Sequence, residues 1–187
     1  MTAERSWLVA IDLQNVFADP SSPWGSPGFA GAASGIERML PAFAGRTLLT
    51  RFVAPREPEG AWRGYYRDWP FALVDDADPL YALTSPFDAL EAPVETRTTF
   101  GKWDAALAAA LGDADEIVLA GVATECCVLS TALAAADAGV RVRIPVDACA
   151  GASTEDHERA LAAMALYAPL IELTSVDEVL ATHSSGR

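Results

Sequence analysis

The chain has 187 residues, of which 51% are hydrophobic and 21% are charged, and its formal net charge is -13. This composition is typical of one folded domain spanning residues 1–187 and excludes a disordered chain. The acidic excess, without a basic stripe, argues against a nucleic-acid partner. No apolar run reaches the roughly 18 to 20 residues of a membrane span, and the first five residues lack a signal pattern. We therefore expect a cytoplasmic protein that does not bind membranes.

The amino-terminal part of the chain begins with a short apolar run over residues 7–11, which ends at Asp12. Such a run is typical of a parallel strand covered on both faces. A loop rich in Pro, Ser and Gly follows over 19–31. A helix is predicted over about 34–43, because its first serine and the glutamate three positions later have the spacing of a capping box. A second strand is predicted over 47–52.

The connection over residues 53–90 is predicted to be long and irregular, and it is rich in aromatic side chains. Long connections in compact domains are uncommon and are often functional. Two interpretations remain open, and both can hold: a cover over a substrate, or a loop that packs its aromatics onto the body of the domain or onto a neighbouring subunit. The aromatic residues concerned are Trp62, Tyr65, Tyr66, Trp69 and Phe71.

Strands and helices alternate along the rest of the chain. The predicted strands span 93–96, 116–121, 140–144 and 170–173. The predicted helices span 104–111, 125–138 and from 153 or 154 to about 167, and a last helix is capped by Ser175 and Glu178. This alternation predicts an α/β fold with three layers, α/β/α, around a mostly parallel six-stranded sheet.

Three residues with chemical potential follow three different predicted strands. Asp12 follows the first strand, Cys127 begins the helix after the strand over 116–121, and Lys102 lies in the turn after the strand over 93–96. Lys102 is also the single lysine among thirteen Lys and Arg residues. Because ligands bind beyond the carboxyl ends of strands in open α/β sheets, we expect the three side chains to meet at one edge.

An acid, a lysine and a cysteine at one edge suggest nucleophilic catalysis. A helix start and a nearby ammonium both favour a thiolate, so we expect the Cys127 thiolate to be accessible near neutral pH. Asp12 would take the thiol proton and pass it to a leaving amine, and amides of the turn would stabilise an oxyanion. Taken singly, each residue has a plainer interpretation: a loop cap for Asp12, a surface position for Lys102, and a small core hydrophobe for a buried cysteine.

The other cysteines and the two histidines give little support to a metal or redox site. Cys126 and Cys127 are adjacent and therefore form a poor disulfide pair, and we interpret Cys126 and Cys149 as core residues. No Cys/His spacing typical of zinc is present. His157, in an apparent first helical turn, is expected to be a solvated surface residue. We expect no cofactor and no metal.

Three segments resemble the isochorismatase-like cysteine hydrolases, which include nicotinamidases and N-carbamoylsarcosine amidase. The segments are 11–17, 121–132 and 139–150, and the resemblance covers nearly the whole chain. It implies the Rossmann-like fold of that family and selects Cys127, directly before Val128, as the nucleophile. It also implies a cis peptide between Val122 and Ala123, an oxyanion hole made by the amides of Ala123 and Cys127, and Asp12 as the family aspartate.

The resemblance leaves the catalytic cation open. A simple alignment would place Arg97 at the family lysine position, but arginine stays protonated and would act only as a fixed charge. We prefer Lys102, with Arg97 as the alternative. Metal-dependent nicotinamidases carry Asp-x-His after strand two, whereas residues 50–53 contain no histidine. Arg51 in this stretch would bind a substrate carboxylate or form a structural salt bridge.

These observations together predict a metal-independent cysteine hydrolase that cleaves an amide or carbamoyl C–N bond of a small molecule through a thioacyl-enzyme. The alternatives are a vinyl-ether hydrolase of the isochorismatase type, a non-catalytic binding domain on the same fold and a thiol redox sensor. An exposed aromatic segment over 62–71 would need a partner, so we expect a homodimer or homotetramer. The candidate substrate-binding residues are Phe17, Trp24, Arg51, Trp62 and Trp103.

Overall fold

The central element of the structure, a computed structural model that describes residues 5–184, is a seven-stranded sheet. The strands lie in the order β3-β2-β1-β4-β5-β7, with β6 paired to β4 outside this path. Every strand pairing is parallel. The strands are β1 (Ser6–Ile11), β2 (Thr47–Phe52), β3 (Val94–Arg97), β4 (Glu116–Val122), β5 (Arg141–Pro145), β6 (Cys149–Ala150) and β7 (Ile171–Thr174).

Helices connect the strands and complete the three-layer α/β/α fold that the sequence predicts. They are α1 (Asn15–Ala18), α2 (Phe29–Met39), α3 (Trp62–Asp68), α4 (Ala105–Ala110), α5 (Leu129–Asp137), α6 (Thr154–Ala165) and α7 (Val176–Ser184). The prediction of six strands misses β6, because two residues are too few to give a hydrophobic pattern. The predicted capping box of the last helix is present, with the Ser175 amide donating to the Glu178 carboxylate at 2.8 Å.

The predicted start of the second helix is wrong. Helix α2 begins at Phe29 rather than at residue 34, so Ser34 lies in its interior and caps nothing. The residue before the helix, Gly28, has no side chain that could cap it, so the sequence shows no capping signal there. Small residues on the buried face allow a close approach: a Cβ on Gly35 would lie 2.9 Å from Ala148 Cβ.

Two further elements differ from their predictions. The connection over 53–90 contains a regular helix, α3, and three short 3-10 turns, so it is less irregular than expected. The helix predicted from residue 125 begins with a π-helical turn, Thr124–Val128, and becomes α-helical at Leu129. Turns of this type are frequent at functional sites.

The middle of the sheet forms the core, where β1 and β4 pair along their whole lengths. Residues 8–11 of β1 and 117–120 of β4 are fully buried. Burial of apolar surface on both faces stabilises by about 25 cal/mol per Å² and explains why both strands are near-continuous apolar runs. No helix of the described chain is long and apolar enough to cross a membrane.

Candidate active site

Asp12 occupies the carboxyl end of β1 in a left-handed conformation, with φ of 54°. Aspartate tolerates this conformation better than most residues, and such positions cluster at functional sites. The neighbouring strand β4 approaches β1 closely at Gly121, where a Cβ would lie 2.2 Å from Ile11 O. Gly121 has a positive φ of 126°, which also favours glycine. Thr50 on β2 donates to Asp12 Oδ1 at 2.7 Å. The carboxylate is therefore fixed inside the protein, with its side chain 0% exposed.

Lys102 extends from the irregular connection between β3 and α4 to the same place. Its Nζ lies 2.8 Å from Asp12 Oδ2, and neither side chain is exposed. The ammonium also donates to Thr99 O at 3.0 Å and lies 5.0 Å from the centre of the Phe52 ring, which is a favourable cation–π distance. The single lysine of the chain therefore forms a buried ion pair with the strand-end aspartate.

Cys127 lies in the π-helical turn after β4, and its thiol is within hydrogen-bonding reach of the Asp12 carboxylate. Burial raises the pKa of this thiol well above its usual range, and the charge of Asp12 raises it further. Lys102 acts in the opposite direction but does not overcome both effects. The expectation of a thiolate near neutral pH is therefore wrong for the resting protein, because the burial of this thiol is not visible in the sequence around it.

The turn that carries Cys127 has the unusual backbone implied by the resemblance. The peptide between Val122 and Ala123 is cis, which confirms that prediction. The carbonyl of Ala123 accepts hydrogen bonds from the amides of Cys126 and Val128, both at 3.2 Å. The amides of Ala123 and Cys127, the expected oxyanion donors, belong to this same tight turn.

Two buried threonines at the site were missed by the sequence analysis. The Thr50 hydroxyl accepts a hydrogen bond from the Asp12 amide at 3.2 Å and donates one to the Asp12 carboxylate at 2.7 Å. Thr131, in the first turn of α5, donates to Cys127 O at 2.6 Å and accepts from Lys102 N at 3.0 Å. The only available signal was position: a hydroxyl near the end of a strand, and another four residues after the predicted nucleophile.

Aromatic rings from the 53–90 connection cover this edge of the sheet. Trp24 is the centre of the packing, and rings of β2, α1 and the connection lie between 5.0 and 6.3 Å from it. Its indole Nε1 is buried without a hydrogen-bond partner among the described residues. The rings around it belong to Phe17, Phe52, Tyr65, Trp69 and Phe71.

Helix α3 brings two of its aromatics towards the edge of the sheet that carries Asp12 and Lys102. Trp62 packs on Phe100 at 5.1 Å, and Phe100 lies 6.1 Å from Phe52, the ring beneath the lysine. Burial raises the pKa of Tyr65 above its usual range, and the neighbouring Cys127 contributes to that rise. Tyr65 therefore lies near Cys127, whereas the sequence analysis named it only as an aromatic of the connection and not as a candidate site residue.

The 62–71 segment is not the exposed apolar patch that the sequence suggested. Tyr66 is 1% exposed, and the other aromatics of the segment are half-buried against the body of the domain. Gln14 fastens the cover by donating to both Phe52 O and Tyr81 O, at 3.0 and 2.8 Å. The cover is therefore packed on its own domain, and the large exposed hydrophobics lie elsewhere: Leu73, Val94, Leu166, Tyr167 and Leu170.

Three residues proposed for substrate or catalysis have other contacts. Arg51 pairs with Asp76 at 2.7 Å, as in the salt-bridge alternative, and also holds the cover. Arg97 pairs with Glu95 and Asp104, each at 2.8 Å, and has no contact with Asp12. Trp103 lines a groove together with α4 and Val140, and no other candidate substrate-binding residue lines that groove.

The histidines do not join the site. His157 is half-buried, rather than solvated as expected, because its Nδ1 lies 2.8 Å from Thr124 Oγ1. His183 packs on Phe43, with ring centroids 4.4 Å apart. Among residues 5–184, no three His, Cys, Asp or Glu side chains are grouped so as to hold a metal ion.

Comparison with known proteins identifies a family. The isochorismatase domain model matches residues 6–178, which is most of the chain. No curated protein sequence matches significantly.

Several solved structures share the fold. A cysteine hydrolase from Pseudomonas syringae pv. phaseolicola 1448A is 20% identical, with a TM-score of 0.88 over 100% of this chain and 96% of that one. An isochorismatase-like hydrolase from Alkaliphilus metalliredigens is 18% identical, with a TM-score of 0.80 over 95% and 98%. A pyrazinamidase from Pyrococcus horikoshii, in complex with zinc, is 24% identical, with a TM-score of 0.74 over 91% and 99%. At identities of 18% to 24%, these similarities show that the fold is shared and nothing more.

Proposed function

The chain belongs to the isochorismatase family and is a hydrolase, and we propose that it cleaves an amide or carbamoyl C–N bond of a small molecule by cysteine catalysis. In this proposal Cys127 is the nucleophile, Asp12 is the acid and base, and Lys102 is the electrostatic partner. The amides of Ala123 and Cys127 stabilise the oxyanion.

One observation carries the proposal: a buried carboxylate lies between an ammonium and a thiol. Asp12 Oδ2 is 2.8 Å from Lys102 Nζ, and the same carboxylate is within reach of the Cys127 thiol. A vinyl-ether hydrolase of the same fold needs the aspartate and lysine but has no use for the thiol. The interaction of the Cys127 thiol with the Asp12 carboxylate therefore favours the amidase over that alternative.

The first half of the reaction follows from the protonation state of the site. Because the resting thiol keeps its proton, Asp12 takes that proton as the sulfur attacks the substrate carbonyl carbon. The new C–S bond leaves negative charge on the carbonyl oxygen, towards which the two amides donate. Asp12 then returns the proton to the leaving nitrogen, the C–N bond breaks, and a thioester remains on Cys127.

Water completes the reaction by the reverse use of the same groups. Asp12 removes a proton from water, and the hydroxide attacks the thioester carbon. The C–S bond then breaks, and the thiolate recovers its proton from Asp12. The net change is an amide plus water giving a carboxylic acid plus an amine or ammonia. Lys102 stays charged throughout and stabilises the carboxylate whenever it is ionised.

We propose that the reaction needs no metal. The zinc seen in the pyrazinamidase relative belongs to that protein. Here Arg51, near the end of β2, pairs with Asp76, and His157 is held by Thr124. The ligand group that a zinc ion requires is thus not found among the described residues. The mechanism accordingly uses protein side chains alone.

A screen for released ammonia tests the proposal. Small amides, ureas and carbamoyl compounds would be offered to the wild-type protein and to Cys127→Ser, with a vinyl ether included as the rival substrate. We expect ammonia from the wild type only. Cys149→Ser is the matched control, because Cys149 is also a buried free thiol but, unlike Cys127, has no side-chain hydrogen bond to a carboxylate. Vinyl-ether cleavage that survives in Cys127→Ser would favour the alternative.

We further propose a homodimer or homotetramer in the cytoplasm. The 62–71 segment does not support an oligomer, because it is packed on its own domain. The support for an oligomer is the loop over 166–170, where Leu166 is 84% exposed. Contiguous exposed apolar surface of this kind is typical of an interaction site. Light scattering at micromolar concentration tests this point, and a monomeric mass would refute it.

A further inference from the structure

Thr131 connects the two segments that carry the nucleophile and the lysine. Its side chain is fully buried. Its hydroxyl donates to Cys127 O at 2.6 Å and accepts from Lys102 N at 3.0 Å. A threonine hydroxyl has one proton to donate and two lone pairs to accept, so both hydrogen bonds form together. A single oxygen atom therefore ties the backbone of one catalytic segment to the backbone of the other.

The segment that carries Lys102 needs a contact that fixes its backbone. Lys102 belongs to an irregular connection, not to a helix or strand, and its four-carbon side chain rotates freely unless it is held. The connection approaches α5 closely at Gly101, where a Cβ would lie 3.5 Å from Ser130 Cβ. The Lys102–Thr131 hydrogen bond lies next to this contact and sets where the lysine chain begins. From there, the ammonium reaches Asp12.

We infer that Thr131 is a positioning residue, which fixes the distance of the Lys102 ammonium from the Cys127 sulfur without touching the substrate. This inference rests on the proposed function, in which the Lys102 ammonium and the Cys127 thiol both interact with the Asp12 carboxylate. Nothing in the sequence pattern of the chain or in the resemblance assigns a role to this hydroxyl.

Loss of the hydroxyl has a predictable consequence. In Thr131→Val the side chain keeps its shape, but the amide of Lys102 and the carbonyl of Cys127 lose a buried partner. The lysine segment then relaxes away from the turn of the nucleophile. Since Lys102 lowers the pKa of the Cys127 thiol, its retreat raises that pKa further. Displacements of about 1 Å near reacting groups cost on the order of 100-fold in rate.

The test uses three variants of the full chain. Thr131→Val removes the hydroxyl, and Thr131→Ser keeps it. Thr47→Val is the matched control. Thr47 is also buried, and its hydroxyl also donates to the carbonyl four residues earlier, Phe43 O, at 3.1 Å. It lies at the start of β2, at the opposite end of the strands from Asp12. The readouts are the rate of Cys127 alkylation by iodoacetamide against pH, kcat and KM on the best amide of the screen, and the thermal midpoint.

We expect Thr131→Val to raise the pH midpoint of alkylation and to lower kcat by about 10-fold to 100-fold, with KM near the wild-type value. Thr131→Ser should restore both. Thr47→Val should lower the thermal midpoint alone. The inference is overturned if Thr131→Val, like Thr47→Val, loses thermal stability while its alkylation profile and kcat stay unchanged.

The alkylation experiment also separates this inference from the proposed function. If Lys102→Met moves the alkylation midpoint and Thr131→Val does not, the inference fails and the proposed function stands. If neither variant moves it, the coupling between lysine and thiol is absent and the inference fails together with the role proposed for Lys102, while ammonia release still decides whether the proposed reaction occurs. If alkylation shifts in both but no amide is hydrolysed, the positioning role stands and the proposed reaction is wrong.

Discussion

The two edges of the sheet place their charges in opposite ways. At the amino-terminal edge, Arg5 lies 3.8 Å from Asp113 and 3.6 Å from Asp115, and all three side chains are substantially exposed. At the carboxyl edge, Lys102 and Asp12 are 2.8 Å apart and wholly buried. Exposed pairs contribute about 0–1 kcal/mol. A buried pair is often no more stabilising than an apolar pair of the same shape.

This difference shows that the buried pair is not explained by stability. Burying two charges costs several kcal/mol per ion, and the fold recovers that cost only through close geometry and further hydrogen bonds. The hydrogen bonds are present, from Thr50 to Asp12 and from Lys102 to Thr99 O. The chain therefore maintains a costly buried ion pair at the carboxyl edge, beside a cysteine. The predictions below test that asymmetry, beginning with the largest expected effect.

The first prediction concerns the nucleophile, where the contrast should be almost complete. Cys127→Ala should abolish hydrolysis, because no other described side chain can form the thioester at this position. Cys149→Ala and Cys126→Ala should keep most of the activity. Initial rates of ammonia release from the same amide provide the measurement. Full activity in Cys127→Ala would eliminate the cysteine mechanism.

The second prediction compares the two ion pairs directly. Lys102→Met should lower the free energy of unfolding by about 3–5 kcal/mol, because Asp12 is left buried and unpaired. Arg5→Met should change it by no more than about 1 kcal/mol. Urea unfolding measures both. The double variant Asp12→Asn with Lys102→Met should recover much of the loss and remain inactive, and asparagine suits the left-handed backbone at this position. Equal losses at the two edges would contradict the asymmetry.

The third prediction separates the two candidate cations. Lys102→Met should raise the pH at which iodoacetamide reacts with Cys127, because the charge that lowers the pKa of the thiol is gone. Arg97→Ala should leave this profile unchanged, since Arg97 is bound by Glu95 and Asp104. The reverse pattern would assign the catalytic charge to Arg97.

The fourth prediction uses Cys149, a buried thiol that the mechanism does not need. Burial raises the pKa of Cys149 to about 12, above its value of about 8.5 in an unfolded chain. The folded state therefore holds the proton more tightly, so the stability from this thiol is complete below about pH 8.5 and is lost as pH rises towards 12. Cys149→Ala should make the alkaline fall in thermal midpoint shallower than in the wild type. An unchanged slope would show that other groups dominate.

The smallest expected effect is that of metal removal. Extensive dialysis against a chelator should leave the hydrolysis rate within experimental error, because no ligand group for a metal lies among residues 5–184. Metal content before and after dialysis would be measured beside activity. Stoichiometric zinc or iron that is lost together with activity would overturn this prediction.

The sequence predicted the central strands well, and it predicted that three polar side chains meet at one edge of the sheet. The bounds of β2 agree with the prediction, and those of β1 differ by one residue, since buried parallel strands are short apolar runs with clear ends. The convergence of Asp12, Lys102 and Cys127 followed from topology, because the carboxyl ends of parallel strands meet at one edge.

What the sequence did not predict depends on contacts between distant segments. Helix α2 begins without a capping side chain, so no local signal marks its start. The role of Thr131 follows from a hydrogen bond to a residue 29 positions away. The pKa of Cys127 was predicted with the wrong sign, because a helix start and a lysine are visible in the sequence whereas the burial of the thiol is not.

The burial of Lys102 has a practical consequence for labelling this protein. It is the single lysine of the chain, and its side chain is wholly enclosed. Amine-directed dyes, acylating agents and crosslinkers therefore find no lysine side chain on the native surface. When the protein unfolds, one new amine becomes reactive. Mass spectrometry after a brief pulse of such a reagent would thus measure the fraction of molecules in which Lys102 has become exposed, since each of these molecules gains one added group.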